Sequence, residues 1–277
     1  MLIRFGYTIT VNCWAPTPMV TLLQIRDGRE ADLRRPEVFS MDPFIPSHIY
    51  RDLYGNACRR FIAPPGDLTL SSDGIMEVDD LPEVYPLEAE QHAVGDLPDH
   101  CLIYLMGSRY CETDRLSQLA WSQFGPIAPG WARVQAISDF VNDRIVFDYQ
   151  NARATRTAYE AYEDRTGVCR DYAHLAIALL RCMNIPARYV NGYLGDIQVP
   201  LRLPMDFSAW VEVYLGGGWH AIDPRNNAPR IGRIVIAHGR DAADVAMITS
   251  FGPHILNKFL VWAEEVWAPD YALMVHA

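Results

Sequence analysis

Hydrophobic and polar residues alternate from the start of the chain. Ile3, Phe5, Tyr7, Ile9, Val11 and Cys13 fall on one side, and Arg4, Thr8, Thr10 and Asn12 on the other. A period of two belongs to a strand with one wet face. Further strand-like runs follow at MVTLLQIR, SHIYRDLYG, ACRRFIA and LTLSS, separated by PTP, Gly55-Asn56, PPGD and Ser72-Asp73-Gly74. No helical period precedes residue 85. Short strands with closely spaced turns predict an antiparallel, sandwich-like β-domain over residues 1–85. Residues 79–100 are acidic, carry prolines and show no period, which reads as a linker. The second domain is expected over residues 86–277, with 86–112 as linker and lead-in.

Beyond it the period changes. A helix is predicted over Asp114–Phe124. Trp131, Val134, Ile137, Phe140 and Val141 then form a helical stripe after Pro129-Gly130. A shorter helix around Ala158–Arg165 is expected to end in a left-handed cap at Gly167. The next helix opens at Cys169, carries Leu175, Ile177, Ala178 and Leu180 on its stripe, and stops at Asn184 and Pro186. ARYVNGYL and WVEVYL read as strands, and Gly216-Gly217-Gly218 turns the chain back into WHAID. That triplet lacks the following helix and the lysine of a phosphate loop, so it reads as a hairpin turn. The fold class is α+β, with helices packed on an antiparallel sheet.

Composition narrows the partners. Half of the 277 residues are hydrophobic and the formal net charge is −10, with no local cluster of Lys and Arg. This disfavours nucleic acid. No apolar run is long enough to span a bilayer, and MLIRFGYTITVNC lacks the layout of a secretory signal. A cytoplasmic location without membrane association is the resulting expectation. The cysteines at 13, 58, 101, 111, 169 and 182 form no CxxC pair and no zinc-like spacing. No metal site is predicted.

Among these cysteines Cys169 alone opens a helix. Free N–H groups and the helix dipole there favour a thiolate and can receive a developing oxyanion. Packing as a small apolar residue is the plainer alternative. Asp223 stands before Pro224 at the end of a predicted hairpin strand. A carboxylate there can orient an imidazole serving a cysteine, or simply cap the Asp-Pro turn.

Gly167-Val168-Cys169-Arg170-Asp171-Tyr172-Ala173, Ile185-Pro186-Ala187-Arg188-Tyr189 and Gly192-Tyr193 together resemble the transglutaminase-like superfamily. Ala209-Trp210-Val211-Glu212-Val213-Tyr214, Trp219 and Asp223-Pro224 extend the resemblance, as do Ser108 to Asp114, Gly239 to Val245 and the N-terminal strands. The resemblance implies a papain-like core preceded by a β-domain and a Cys-His-Asp triad. It places the cysteine at Cys169 and the aspartate at Asp223. The histidine position, just before the Ala-Trp of the first hairpin strand, holds Ser208.

A serine hydroxyl is no base near neutral pH. The first reading is that no other histidine takes its place; His238 and His220 are the next candidates, with His174 behind them. His220 is three residues from Asp223, so strand alternation turns the two apart unless a bulge intervenes. Trp210, Trp219 and Arg170 are candidate cleft-lining residues, and Asp206 could add polarity near Ser208. Asp171 complements the helix dipole. The implied activity is that of a cysteine peptidase or amidase forming an acyl-enzyme at Cys169 on a peptide or protein substrate, with no cofactor. The alternative is a catalytically impaired papain-like scaffold that binds a peptide or protein partner. Oligomeric state is not set by the sequence.

Overall fold

The computed structural model describes residues 1–200 and 205–267. Strands β1 (Leu2–Cys13), β2 (Thr17–Thr21), β3 (Leu33–Asp42), β4 (Ser47–Arg51), β5 (Ala57–Ala63) and β6 (Gly66–Glu77) come first. A mostly helical stretch follows: α1 (Asp99–Leu102), α2 (Thr113–Phe124), α3 (Trp131–Arg144), β7 (Val146–Phe147), α4 (Ala158–Asp164), β8 (Thr166–Gly167) and α5 (Cys169–Cys182). Strands β9 (Ala187–Tyr193), β10 (Ser208–Leu215), β11 (Gly218–Ile222), β12 (Ile234–Gly239), β13 (Ile248–Ser250) and β14 (His254–Val266) complete the chain.

The N-terminal strands build two antiparallel sheets, ordered β14-β1-β6-β3 and β13-β2-β5-β4. The alternation of β1 is realised in full: its six inward side chains are at most 1% exposed. They join Met19, Phe61, Leu68 and Leu70 in one core. The last described strands, β13 and β14, pair with β2 and β1, so residues far apart in the chain share these sheets.

Six strands, β3, β7, β8, β12, β13 and β14, fall where the sequence pattern predicts none, and the two longest show why. β3 alternates in burial, but its half-buried side includes Arg35 and Glu37, while Val38 faces water at 63% exposure. β14 lies at a sheet edge and is exposed along its first half, so it shows no clean period. The predicted MVTLLQIR strand shortens to β2. The left-handed cap of α4 is Arg165 at φ 57°, not Gly167, which pairs with Phe147 in the short parallel β7–β8 ladder.

In the core, the sheet β11-β10-β9-β12 carries α5 on one face, and α2, α3 and α4 pack around that helix. Every α5 residue from Asp171 to Cys182 is buried, the pattern of a central helix rather than the one-sided stripe expected. Two buried polar side chains tie the helix to its surroundings. His174 stacks on Tyr110 and accepts the Ala242 N–H at 3.1 Å. Arg181 donates to the carbonyls of Met106, Ala187 and Arg240 and to Ser108 Oγ. Through these contacts the Ser108–Asp114 and Gly239–Val245 stretches close over α5. Among the described residues, no helix is long and apolar enough to cross a membrane.

Candidate active site

The start of α5 is fixed by Asp171. Its Oδ2 accepts the Val168 N–H at 2.9 Å and pairs with Arg156 Nη1 at 3.3 Å. A Cβ at position 167 would lie 2.6 Å from the Asp171 Cβ, so glycine is what lets the carboxylate reach back. Cys169 is thereby held in the first turn, where backbone N–H groups have no intrahelical partner. It is partly exposed, whereas the other five cysteines are buried.

The first strand of the hairpin begins beside it. The Ala209 N–H donates toward the Cys169 sulfur. Ser208, the preceding residue, pairs with Gly192 of β9 and is nearly buried. Asp223, just past β11, lies close enough for its charge to act on the sulfur. Cys169 and Asp223 are thus within electrostatic reach of each other, with Ser208 adjacent to the residue whose N–H faces the sulfur.

The Asp223 carboxylate is heavily engaged. It accepts the backbone N–H groups of Arg225 and Asn226 at 3.1 Å each, Asn226 Nδ2 at 2.8 Å and Arg233 Nη2 at 3.2 Å. Arg233 also pairs with Glu83 and stacks on Trp210, 4.9 Å from the ring centroid. Asp223 thus does cap its turn, the plainer of the two sequence readings, while standing at the site.

The sulfur is a thiol at rest. Burial pushes its pKa up to about 11, against the opposing pull of Arg225 and the Ala209 N–H; Asp206 and Asp223 add to the rise. Only the thiolate alkylates, so the reactive fraction near pH 7 is on the order of 10⁻⁴. Iodoacetamide labelling of Cys169 should therefore keep accelerating past pH 10. A plateau at or below the ordinary thiol range, ~8.5, would contradict this environment.

The histidines weighed as substitute bases are placed elsewhere. His220 pairs with Val213 in a hairpin without a bulge, and its Nε2 lies 3.1 Å from the Leu215 carbonyl. That is four residues along the strand from Ala209, or roughly 13 Å. His238 approaches Glu212 at 3.4 Å. Glu212 pairs across the ladder with Arg188, whereas the neighbouring pair Val211–Tyr189 faces α5, where Tyr189 meets His174. His238 is therefore held at Glu212, four residues along β10 from Ser208. Burial lowers its pKa, opposed by Glu212. His174, enclosed between Tyr110 and Tyr189, is kept neutral by desolvation.

The candidate cleft-lining residues also differ from expectation. Trp210 is buried under Arg233. Trp219 packs on Tyr104 and Tyr214 and beneath Arg188, near the hairpin turn. Arg170 donates to the carbonyls of Arg153 and Ala154 and is spent on that loop.

Two residues that act on the sulfur, Arg225 and Tyr149, went unpredicted. Arg225 acts electrostatically on both Cys169 and Asp206, and its guanidinium lies 4.0 Å over the Phe147 ring. Tyr149 stands edge-on to Phe147 and feels the charges of Asp206 and Cys169. Burial lifts the Asp206 carboxyl. One signal for Arg225 was available: an Asp-Pro turn folds the residue two positions on back toward the aspartate. Ser208, Arg225 and Asn226 line a cavity of about 210 Å³ together with Asp196 and Arg230. Among the described residues, no three His, Cys, Asp or Glu side chains converge to hold a metal ion.

A cysteine at a helix N-terminus, facing the first strand of an antiparallel sheet with an aspartate after the next, is the layout of a papain-like thiol core. The chain belongs to the transglutaminase-like superfamily, whose family model matches residues 119–224, from α2 to the Asp223-Pro224 turn. A solved structure named a "putative cysteine protease", from Cytophaga hutchinsonii, is similar over 95% of this chain and 90% of its own, with TM-score 0.83 and 29% identity. Uncharacterized proteins of Mycobacterium tuberculosis and Mycobacterium leprae are also similar. The first is 31% identical over 70% of this chain and 68% of its own length. The second is 28% identical over 74% and 75%.

Proposed function

We propose that the chain is a cysteine hydrolase of the peptidase or amidase type, slowed by the serine at position 208. Cys169 attacks the carbonyl carbon of a peptide or protein substrate, forming an Sγ–C bond. The C–N bond breaks, the amine leaves with the thiol proton, and water then cleaves the thioester to return acid and thiol. The supporting observation is the convergence of a partly exposed helix-opening Cys169 with the Ala209 N–H, Arg225 and Asp223. N–H groups of the first α5 turn supply a place for the oxyanion. Asp206, a carboxyl near the sulfur whose pKa is raised by burial, is the group assigned to carry the proton that an imidazole would otherwise handle.

The second reading, a groove retained for binding a peptide or protein partner, is favoured by one observation: the resting thiol has no imidazole hydrogen-bonded to it among the described residues. Turnover of small activated esters separates the two. A slow rate that falls at least ~10-fold in Cys169→Ala supports the hydrolase. Equal rates in both proteins support the binding groove.

A further inference from the structure

We infer that Arg225 and the cavity beside Ser208 form a carboxylate-binding subsite, so that the acyl compounds taken by Cys169 carry a carboxylate close to the reacting carbonyl. This rests on the reading of Cys169 as the acyl-accepting group and supplies its substrate class.

The guanidinium of Arg225 is half-buried and, among the described residues, donates no side-chain hydrogen bond; its Nε is buried without a partner. Its lower face is covered by Phe147 at 4.0 Å. Ring stacking leaves the in-plane N–H edge as the part able to bind, and that edge matches a carboxylate in bidentate geometry. Two of the carboxylates around it are committed in other directions. Asp223 is taken by Asn226 and Arg233. Asp196 pairs with Arg230 at 3.2 Å. Asp206 acts on Arg225 through charge but accepts no hydrogen bond from it among the described residues, and burial raises its pKa. The cation is also within electrostatic reach of the Cys169 sulfur. A ligand on Arg225 would therefore have its neighbouring atoms near the nucleophile. Ser208 and Asn226 add polar atoms to the cavity wall.

The test labels Cys169 with iodoacetate, which carries a carboxylate, and with iodoacetamide, which does not, and reads the Cys169 peptide by mass spectrometry. The ratio of the two rates in the native protein should exceed that in the unfolded chain by ~10-fold, the worth of one charge-assisted contact. Arg225→Gln should bring it back to the unfolded value. Wild-type protein supplies an independent arm should that variant fail to fold. Acetyl-glutamate amide or acetyl-alanine should slow iodoacetamide labelling while acetyl-glutamine amide does not. Protection by the first alone identifies an acidic side chain as the ligand, and by the second alone a C-terminal carboxylate. Equal ratios in native and unfolded protein, with no protection by either acid, would overturn the subsite. Neither arm needs turnover, so an inert Cys169 in ester assays would sink the hydrolase reading without deciding this one.

Discussion

Ser208→His raises acyl turnover at Cys169 by ~10²–10⁴-fold, the usual worth of a positioned general acid–base. Ser208 precedes the residue whose N–H points at the sulfur, and it opens onto a cavity of about 210 Å³. An imidazole introduced there would border that cavity, on the strand paired with the one that leads into Asp223. It would lower the thiol pKa from about 11 by supplying a cation and would protonate the leaving amine. The gain should vanish when Cys169→Ala is combined with it. An unchanged rate in a folded Ser208→His protein would mean that the loss of chemistry is not located at position 208, and would favour the binding groove.

The largest stability loss is expected from Arg181→Met. Arg181 is 2% exposed and sits near the far end of the helix that begins with Cys169. Its guanidinium bonds Ala187 O at 2.8 Å, Met106 O at 3.0 Å, Arg240 O at 2.6 Å and Ser108 Oγ at 3.1 Å. Replacing a buried ion pair with apolar residues can be neutral when both partners are removed. Here the carbonyls remain, and each unsatisfied one costs about 1–3 kcal/mol. With some relief from entering water, the expected total is about 3–5 kcal/mol, a fall in Tm on the order of 10 °C for a chain of this size. Thermal unfolding of the variant checks this. A shift below about 2 °C would show that water replaces the guanidinium almost fully.

Legibility of the sequence followed how local each cause was. β1 was readable because one face is core and the other water, so its letters alternate. β3 hid behind Arg35 and Glu37 on its inner side, whose surroundings come from elsewhere: Asp73 beside Arg35, and Ser72 beside Glu37. Cys169 was readable as a helix-opening cysteine because the helix start is written in adjacent residues, whereas the burial that raises its pKa against the expected thiolate preference comes from the fold. Strand alternation argued that His220 and Asp223 point apart, and the β10–β11 hairpin lacks the bulge that would have undone that argument. His238 could not be judged that way, since its position depends on pairing β12 with β9 and on Glu212 across the sheet. Arg233, ten residues beyond Asp223, had no local signal; only the closed fold brings it between Trp210 and the carboxylate.

The most direct measurement is peptide mapping after brief exposure of the protein to an activated ester and quenching in acid. One acyl group on the peptide that contains Cys169, absent from Cys169→Ala and more abundant in Ser208→His, is the predicted result. Acylation confined to lysines or to another cysteine, with position 169 recovered as free thiol in every variant, would contradict it.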